Sequence, residues 1–319
     1  RVTDQGGLSF DKVLTINLDN VSGDYTGSSG DDVIVGSSEE NTIDGLDGND
    51  QLIGGPSDDT IYGGDGDDII SGGPGNDVLY GGMAGVDKLG DTLDYSSAMS
   101  GISIDLSNTA PQATGGAGTD AVSGFEVLIG SDHNDFLTGS SVSETILGGN
   151  GDDLIEGNGG SDLIDGGAGD DTLYADGGDT ILGGDASDKV YAGTAALAAP
   201  VIWIDGGAGI DSLFLTGSGG PALNLQLDLV GKVTNIESID ATATGAVIDL
   251  RDLTGDGLRA ILGLPAMGGS GTLTVAIDGN DFDVTAAAGQ FTSFDAGTHT
   301  TTFFTDSGMT TEMAKVQVV

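Results

Sequence analysis

From residue 27 onward, large aliphatic residues return every nine positions. Ile34, Ile43, Leu52, Ile61, Ile70 and Leu79 form an unbroken series, each two places after an acid or amide: Asp32, Asn41, Asp50, Asp59, Asp68 and Asp77. A glycine opens every copy, at Gly27, Gly36, Gly45, Gly54, Gly63 and Gly72. The unit reads G-G-x-G-x-D-x-U-x, with U aliphatic. Paired glycines permit positive φ, so the chain can reverse tightly and turn its carbonyls inward. The following residues, such as Asp68-Ile69-Ile70, predict a short strand whose eighth-position side chain points in while its neighbours point out. Two nonapeptides then make one coil of 18 residues. Asp32, Asp50 and Asp68 should stack in one column and Asn41, Asp59 and Asp77 in another, about 4.8 Å per coil.

The period slips around Met83–Asp87, and a degenerate copy ends at Asp91, Leu93 and Asp94. A second array starts at Gly130, with sixth positions Asp135, Glu144, Asp153, Asp162, Asp171, Asp179 and Asp188. One residue is missing near Ala175–Asp179, which predicts a shorter turn there. A detached copy, Gly206 to Phe214, carries Asp211 at its sixth position.

Composition sharpens this reading. With 51 acids against 8 basic residues the net charge is −43. That excludes nucleic acid as a partner and argues against direct adhesion to an anionic membrane. Stacked carboxylates repel one another and call for a divalent cation between turns. Calcium, a hard ion that takes six to eight oxygens, is the natural choice. Zinc is disfavoured, because the chain has no cysteine and only His133 and His299. Without cysteines no disulfide framework exists, and calcium would take over that role. Folding and metal binding should therefore be linked.

The nonapeptide resembles the calcium-binding repeat of the RTX (repeats-in-toxin) family, whose members form parallel β-helices. The resemblance implies an all-β fold, a calcium-loaded parallel β-roll made of two arrays and closed by a β-rich C-terminal region. It also implies that sixth-position carboxylates and nearby turn carbonyls hold multiple calcium ions. In this chain those positions are Asp32, Asn41, Asp50, Asp59, Asp68, Asp77, Asp135, Glu144, Asp153, Asp162, Asp171, Asp179, Asp188 and Asp211.

Around the first array (23–94) and the second (130–215), three further segments are expected. Residues 1–22 hold the alternating run Val13-Leu14-Thr15-Ile16-Asn17-Leu18. They resemble the final strand of cadherin-like repeats in large bacterial surface proteins, and equally a capping strand. Residues 95–129 read as an insertion, with a strand at Ile102, Ile104 and Leu106 and a loop over Pro111–Gly118. Residues 216–319 resemble the end region of large RTX adhesins. Strands are expected there at 245–250, 272–277 and 300–305, with residues 252–262 compatible with a short helix. A solenoid needs a cap over its last coil, and this region can supply one. Trp203 is expected to pack in an insertion between the array and this cap.

Catalytic patterns are missing. Neither histidine lies in an H-E-x-x-H motif, and no G-x-S-x-G elbow occurs. Adjacent acids such as Asp67 and Asp68 recur with the period, which marks them as turn residues and not a glycosidase pair. Asp252-x-Thr254-x-Asp256-Gly257 opens like an EF-hand loop, but Gly263 stands where its twelfth-position glutamate is required. No run is long and apolar enough for a transmembrane helix. Arg1-Val2-Thr3-Asp4 shows no leader peptide, and the chain is expected to be a fragment of something longer.

The expected role is non-enzymatic: the calcium-binding region of a secreted, extracellular or cell-surface bacterial adhesin or matrix protein. Its partners would be calcium, surface polysaccharide or other cell-surface molecules, and an ABC-type exporter during type I secretion. The run Val316-Gln317-Val318-Val319 would close either an export signal or the last strand of the cap. The alternatives are the calcium-dependent tail of a secreted protease, lipase or polysaccharide epimerase, or a surface-layer protein.

Overall fold

The computed structural model describes residues 23–82, 90–193, 202–216 and 232–240 throughout. Elsewhere it describes Leu197 and the short strands at 2–3, 9–10, 15–17, 223–224, 248–249, 272–276, 291–295, 300–304 and 312–318. The helix expected over 252–262, the EF-hand-like turn and the slip at 83–87 lie outside the described residues. The chain forms two compact units, residues 1–155 and 156–319.

In the first unit the nonapeptide winds as a parallel β-roll. One sheet runs, strand beside strand, through Thr15–Asn17, Val33–Val35, Gln51–Ile53, Ile69–Ser71, Thr92–Asp94, Val127–Ile129 and Thr145–Asn150. The other runs through Gly23–Thr26, Asn41–Asp47, Thr60–Asp65, Val78–Gly82 and Thr119–Ser123. Ile34 pairs with Leu52, Leu52 with Ile70, and Ile43 with Ile61, so each rung lies 18 residues from the last. A third row, Ser103–Asp105 beside Phe136–Thr138, starts where the second array begins.

Period-2 alternation sends one side chain of each three-residue strand inward. Ile34, Ile43, Leu52, Ile61, Ile70 and Leu79 are all at most 1 % exposed. Their neighbours Tyr62, Ile69 and Tyr80 are among the exposed residues. Where aromatic residues fall in the outward row they stack across strands. The rings of Tyr62 and Tyr80 lie 5.0 Å apart and nearly parallel.

The segment between the arrays supplies rungs of its own. Thr119–Ser123 lies parallel to Val78–Gly82 and places Val122 beside Leu79. Val127–Ile129 joins Thr92–Asp94 to Thr145–Asn150. Thr15–Asn17 pairs in parallel with Val33–Val35 as the first rung of its sheet.

The second unit repeats the scheme. Leu163–Ala168, Thr180–Asp185, Trp203–Ala208 and Val233–Thr234 form one parallel row, with Ile164, Ile181, Ile204 and Val233 buried in register. Thr172–Ala175, Lys189–Gly193, Ser212–Thr216 and Ser238–Asp240 form the other. Asp165 pairs with Leu182, 17 residues on, because the turn before Asp179 is one residue short. An outward ladder of Tyr174, Tyr191 and Phe214 stacks at 4.9 and 4.8 Å. Trp203 does not pack as expected: it is 43 % exposed, because Ile204 takes the inward position of that strand.

Beyond Asp240 the parallel row continues through Thr272–Ala276 to Glu312–Val318, which then pairs antiparallel with Thr300–Phe304. Phe291–Asp295 completes this antiparallel end. No described helix is long and apolar enough to cross a membrane.

Candidate metal-binding turns

Every predicted sixth-position residue is buried, from 0 % to 4 % exposed. The roll brings them into the expected columns through one repeated bond. The backbone N–H of Asp32 donates to Oδ1 of Asp50 (2.8 Å), and that of Asp50 donates to Oδ1 of Asp68 (2.8 Å). In the other column Asn41 donates to Asp59 (2.7 Å) and Asp59 to Asp77 (2.8 Å). The second array repeats this with Asp135 to Asp153, Asp162 to Asp179, Asp171 to Asp188, and Asp188 to Asp211. In each of these pairs the later side chain reaches back one coil and gives one carboxylate oxygen to the backbone.

The second oxygen is where turns differ. In the Gly-Gly turns the second residue is left-handed: Gly55 (φ 135°), Gly73 (φ 94°), Gly184 (φ 117°) and Gly207 (φ 95°). Leu46, at φ 78°, and Asn158, at φ 62°, take the same conformation without being glycine. After such turns Oδ2 of Asp50, Asp59, Asp77, Asp188 and Asp211 is buried and accepts no hydrogen bond. A buried carboxylate oxygen left that way is costly.

The first glycine of these turns faces the same oxygen. A Cβ on Gly45 would stand 2.3 Å from Asp50 Oδ2 and 2.5 Å from the carbonyl oxygen of Gly63, one coil on. On Gly183 it would meet Asp188 Oδ2 at 2.4 Å and Gly206 O at 2.2 Å. Carboxylate and carbonyl oxygens from successive coils therefore crowd one spot that only glycine leaves open. Among the described residues no three acidic or imidazole side chains converge. A cation here would have to draw on backbone carbonyls, which is the mixed oxygen set that calcium takes.

Burial is the main force on these acids, with neighbouring carboxylates adding to it and the backbone donors opposing it. Asp50, Asp77, Asp153 and Asp211 are pushed up to about 7, and Asp59 and Asp188 to about 6. Two acids beyond the predicted ligand positions, Asp120 and Asp91 of the degenerate copy, join the columns. Asp77 N–H donates to Asp120 Oδ1 (3.0 Å), and the buried Tyr95 hydroxyl donates to Asp120 Oδ2 (2.9 Å). Asp68 N–H donates to Asp91 Oδ1 (2.9 Å). Glu126 and Glu237 then accept from the N–H groups of Asp91 and Asp211. Three of these four, Asp120, Glu126 and Glu237, lack the Gly-Gly opening. Their signal is an acid followed two places on by an aliphatic residue: Val122, Leu128 and Ile239.

The fifth positions form a second, exposed ladder running the opposite way. Asp31 Oδ1 accepts from Asn49 N–H (3.0 Å), Asn49 Oδ1 from Asp67 N–H (3.2 Å), and Asp67 Oδ1 from Gly90 N–H (2.8 Å). Asp58 serves Asn76, Asn134 serves Asp152, and Asp170 serves Ser187 in the same manner. In the row Asp31, Asn49, Asp67 and Gly90 acid and neutral residues alternate, which keeps its like charges two coils apart.

Four stretches of the chain, residues 26–61, 53–83, 138–173 and 174–195, match the RTX calcium-binding nonapeptide repeat. A comparison with curated proteins finds no match.

Proposed function

On the premise that the two arrays are RTX repeats, which bind calcium ions at multiple sites, we propose that this chain is the calcium-binding region of a secreted bacterial surface adhesin or matrix protein, and that extracellular calcium folds it. The observation that carries this is the buried Oδ2 row of Asp50, Asp59, Asp77, Asp188 and Asp211, to which the protein supplies no donor. Calcium, when bound, would supply the missing positive charge. The sixth-position side chains, from Asp32 to Asp77, Asp135 to Asp188, and Asp211, line its columns, with first-glycine carbonyls beside them.

The core of the arrays is thin, at one fully buried aliphatic side chain per nonapeptide. A column of uncompensated buried acids outweighs such a ladder. Binding free energy then becomes folding free energy. Extracellular calcium modules bind at roughly 10⁻⁴–10⁻³ M, well above the calcium of a cytosol. The arrays would therefore stay unfolded and threadable inside the cell, suited to an ABC-type exporter, and fold outside. The adhesin assignment is supported by the resemblance of residues 1–22 and 216–319 to segments of large surface proteins, with surface polysaccharide or other cell-surface molecules as the ligand class. The repeat region itself is structural and not catalytic.

Circular dichroism of the full chain in chelator and in millimolar calcium tests the folding claim. The β signal should appear only with calcium; an unchanged β spectrum in chelator would refute it. The open reading frame upstream of Arg1 tests the adhesin claim. Tandem cadherin- or immunoglobulin-like repeats support it, and a catalytic motif there would make this region an enzyme's tail.

A further inference from the structure

Each array opens with two turns of a different build. Where most later turns read Gly-Gly, with Gly45-Leu46 and Gly157-Asn158 taking the same left-handed second residue, these read Gly27-Ser28, Gly36-Ser37, Gly130-Ser131 and Gly139-Ser140. None of the four serines has positive φ. Their backbone N–H groups consequently face the sixth-position side chain of their own turn. Ser28 N–H donates to Asp32 Oδ2 (2.5 Å) and Ser131 N–H to Asp135 Oδ2 (2.6 Å). The Ser131 hydroxyl adds a bond to Asp135 Oδ1 (2.8 Å). Ser140 bonds Glu144 Oε1 through both its N–H and its hydroxyl.

The Gly36 turn goes furthest. Ser37 N–H donates to Asn41 Oδ1 (2.5 Å), while Asn41 Nδ2 donates to Ser37 Oγ (3.1 Å) and to Glu39 O (2.7 Å). The amide carries its own donors into the turn. Correspondingly, neither Asp32 nor Asp135 has an oxygen among the buried acceptors that lack a donor, whereas Asp50, Asp59 and Asp77 do.

We infer that the Gly-Ser turns holding Asp32, Asn41 and Asp135 are closed by the chain itself, without calcium, and are the seeds from which each array winds as calcium fills the Gly-Gly turns that follow. The physical reason is a choice of partner. An N–H aimed at a carboxylate oxygen uses the lone pair and puts a partial positive charge where a cation would sit. A left-handed second residue turns that N–H away and leaves the oxygen for a metal. Side-chain and backbone donors of this kind are what capped turns use to satisfy a local acceptor. The shortened turn inside the second array is closed in the same way, with Asp176 N–H donating to Asp179 Oδ2 (2.7 Å); the Gly-Ser turns stand at the head of each array, and that placement gives winding a direction. A coil added to a finished one closes only a short loop, while one formed alone must close its loop with no partner.

This inference rests on the calcium reading and deepens it. Hydrogen exchange of the full chain, read by mass spectrometry across a calcium titration, separates the two. Peptides covering 27–44 and 130–147 should become protected at lower free calcium than those covering 54–82 and 183–193. Ser131→Gly, which removes the hydroxyl and permits positive φ, should shift protection of 130–147 to higher calcium. Ser131→Ala, which keeps the backbone donor, should shift it less. Simultaneous or later protection of 130–147, or a Ser131→Gly profile identical to the parent, would overturn the inference. A chain whose peptides ignore calcium throughout would overturn the calcium reading, and this inference with it.

Discussion

Asp77 and Asp120 lie 43 residues apart, yet the backbone N–H of the first donates to Oδ1 of the second just as Asp59 donates to Asp77. The column of acids passes from the first array into the segment between the arrays without a break. At this rung the chain supplies the second donor itself: the Tyr95 hydroxyl, buried with Asp120, donates to Oδ2 at 2.9 Å. Burial pushes Asp120 upward, while its backbone and tyrosine donors hold it back. Tyr95→Phe should leave that oxygen without its donor and lower stability in calcium by about 1–3 kcal/mol. Thermal unfolding of the variant in saturating calcium reads this directly, and an unchanged midpoint would show the bond to be dispensable.

Acid should favour the metal-free fold. Asp50, Asp77, Asp153 and Asp211 rise to about 7 and Asp59 and Asp188 to about 6, chiefly through burial. A folded-state value above the unfolded one means the native chain binds the extra protons. The resulting stability is fully present below about 4 and disappears as pH rises through 6 to 7. In chelator, β structure should therefore be stronger at mildly acidic than at alkaline pH. With calcium present the sign reverses for binding, since protons compete for the same oxygens, and apparent calcium affinity should fall as pH drops through 7. Chelator melts across pH and calcium titrations at two pH values check both halves.

Sites along the columns should differ in strength. Asn41 brings no charge, and its amide already bonds Ser37 and Glu39. Glu144 is one methylene longer than the aspartates around it. Metal occupancy should be low beside these two, as at the other Gly-Ser turns, and higher beside Asp50, Asp59 and Asp77. Asn41→Asp should raise the calcium dependence of the thermal midpoint, because it adds a buried charge that the amide's donors no longer satisfy. Equal occupancy beside Asn41 and Asp77 in a high-resolution calcium-soaked crystal would count against this.

The aliphatic ladder and its outward neighbours make a direct contrast. Ile61 is fully buried between Ile43 and Leu79, so Ile61→Ala should cost about 2–5 kcal/mol. Ile69 is 42 % exposed, and Ile69→Ala should cost under about 1 kcal/mol. Urea unfolding in calcium should rank the two in that order.

The alternating fifth-position row predicts a salt effect. Asn49→Asp would set three carboxylates in succession with Asp31 and Asp67. The penalty should be about 0.2–1 kcal/mol at low ionic strength and fade as salt is added. A loss independent of salt would point to the hydrogen bonds and not to charge.

How much of this was legible in the sequence follows from what is local. Asp32 through Asp77 and Ile34 through Leu79 announce their columns because each coil has the same length, so spacing alone fixes who stacks on whom. Asp120 and Glu126 stayed hidden because their upstream partners, Asp77 and Asp91, lie 43 and 35 residues back. Once a loop breaks the period, register depends on which acid-x-aliphatic triplet can reach the open edge, and spacing no longer decides it. The two kinds of turn were also hidden. Gly-Ser and Gly-Gly look like the same permissive pair until the sign of φ at the second residue shows which way its N–H points.

The 18-residue step between rungs has a mechanical side. Ile34, Leu52 and Ile70 are joined in register from one rung to the next. Pulled from one end, such a roll would come apart one coil at a time. Each released coil of 18 residues would extend to about 60 Å, against the roughly 4.8 Å it occupied when wound. Calcium in the turns would set the force at which each coil lets go. The region would then yield in small, reversible steps under tension, so that a sudden load on its ends would lengthen it before it broke whatever they were attached to.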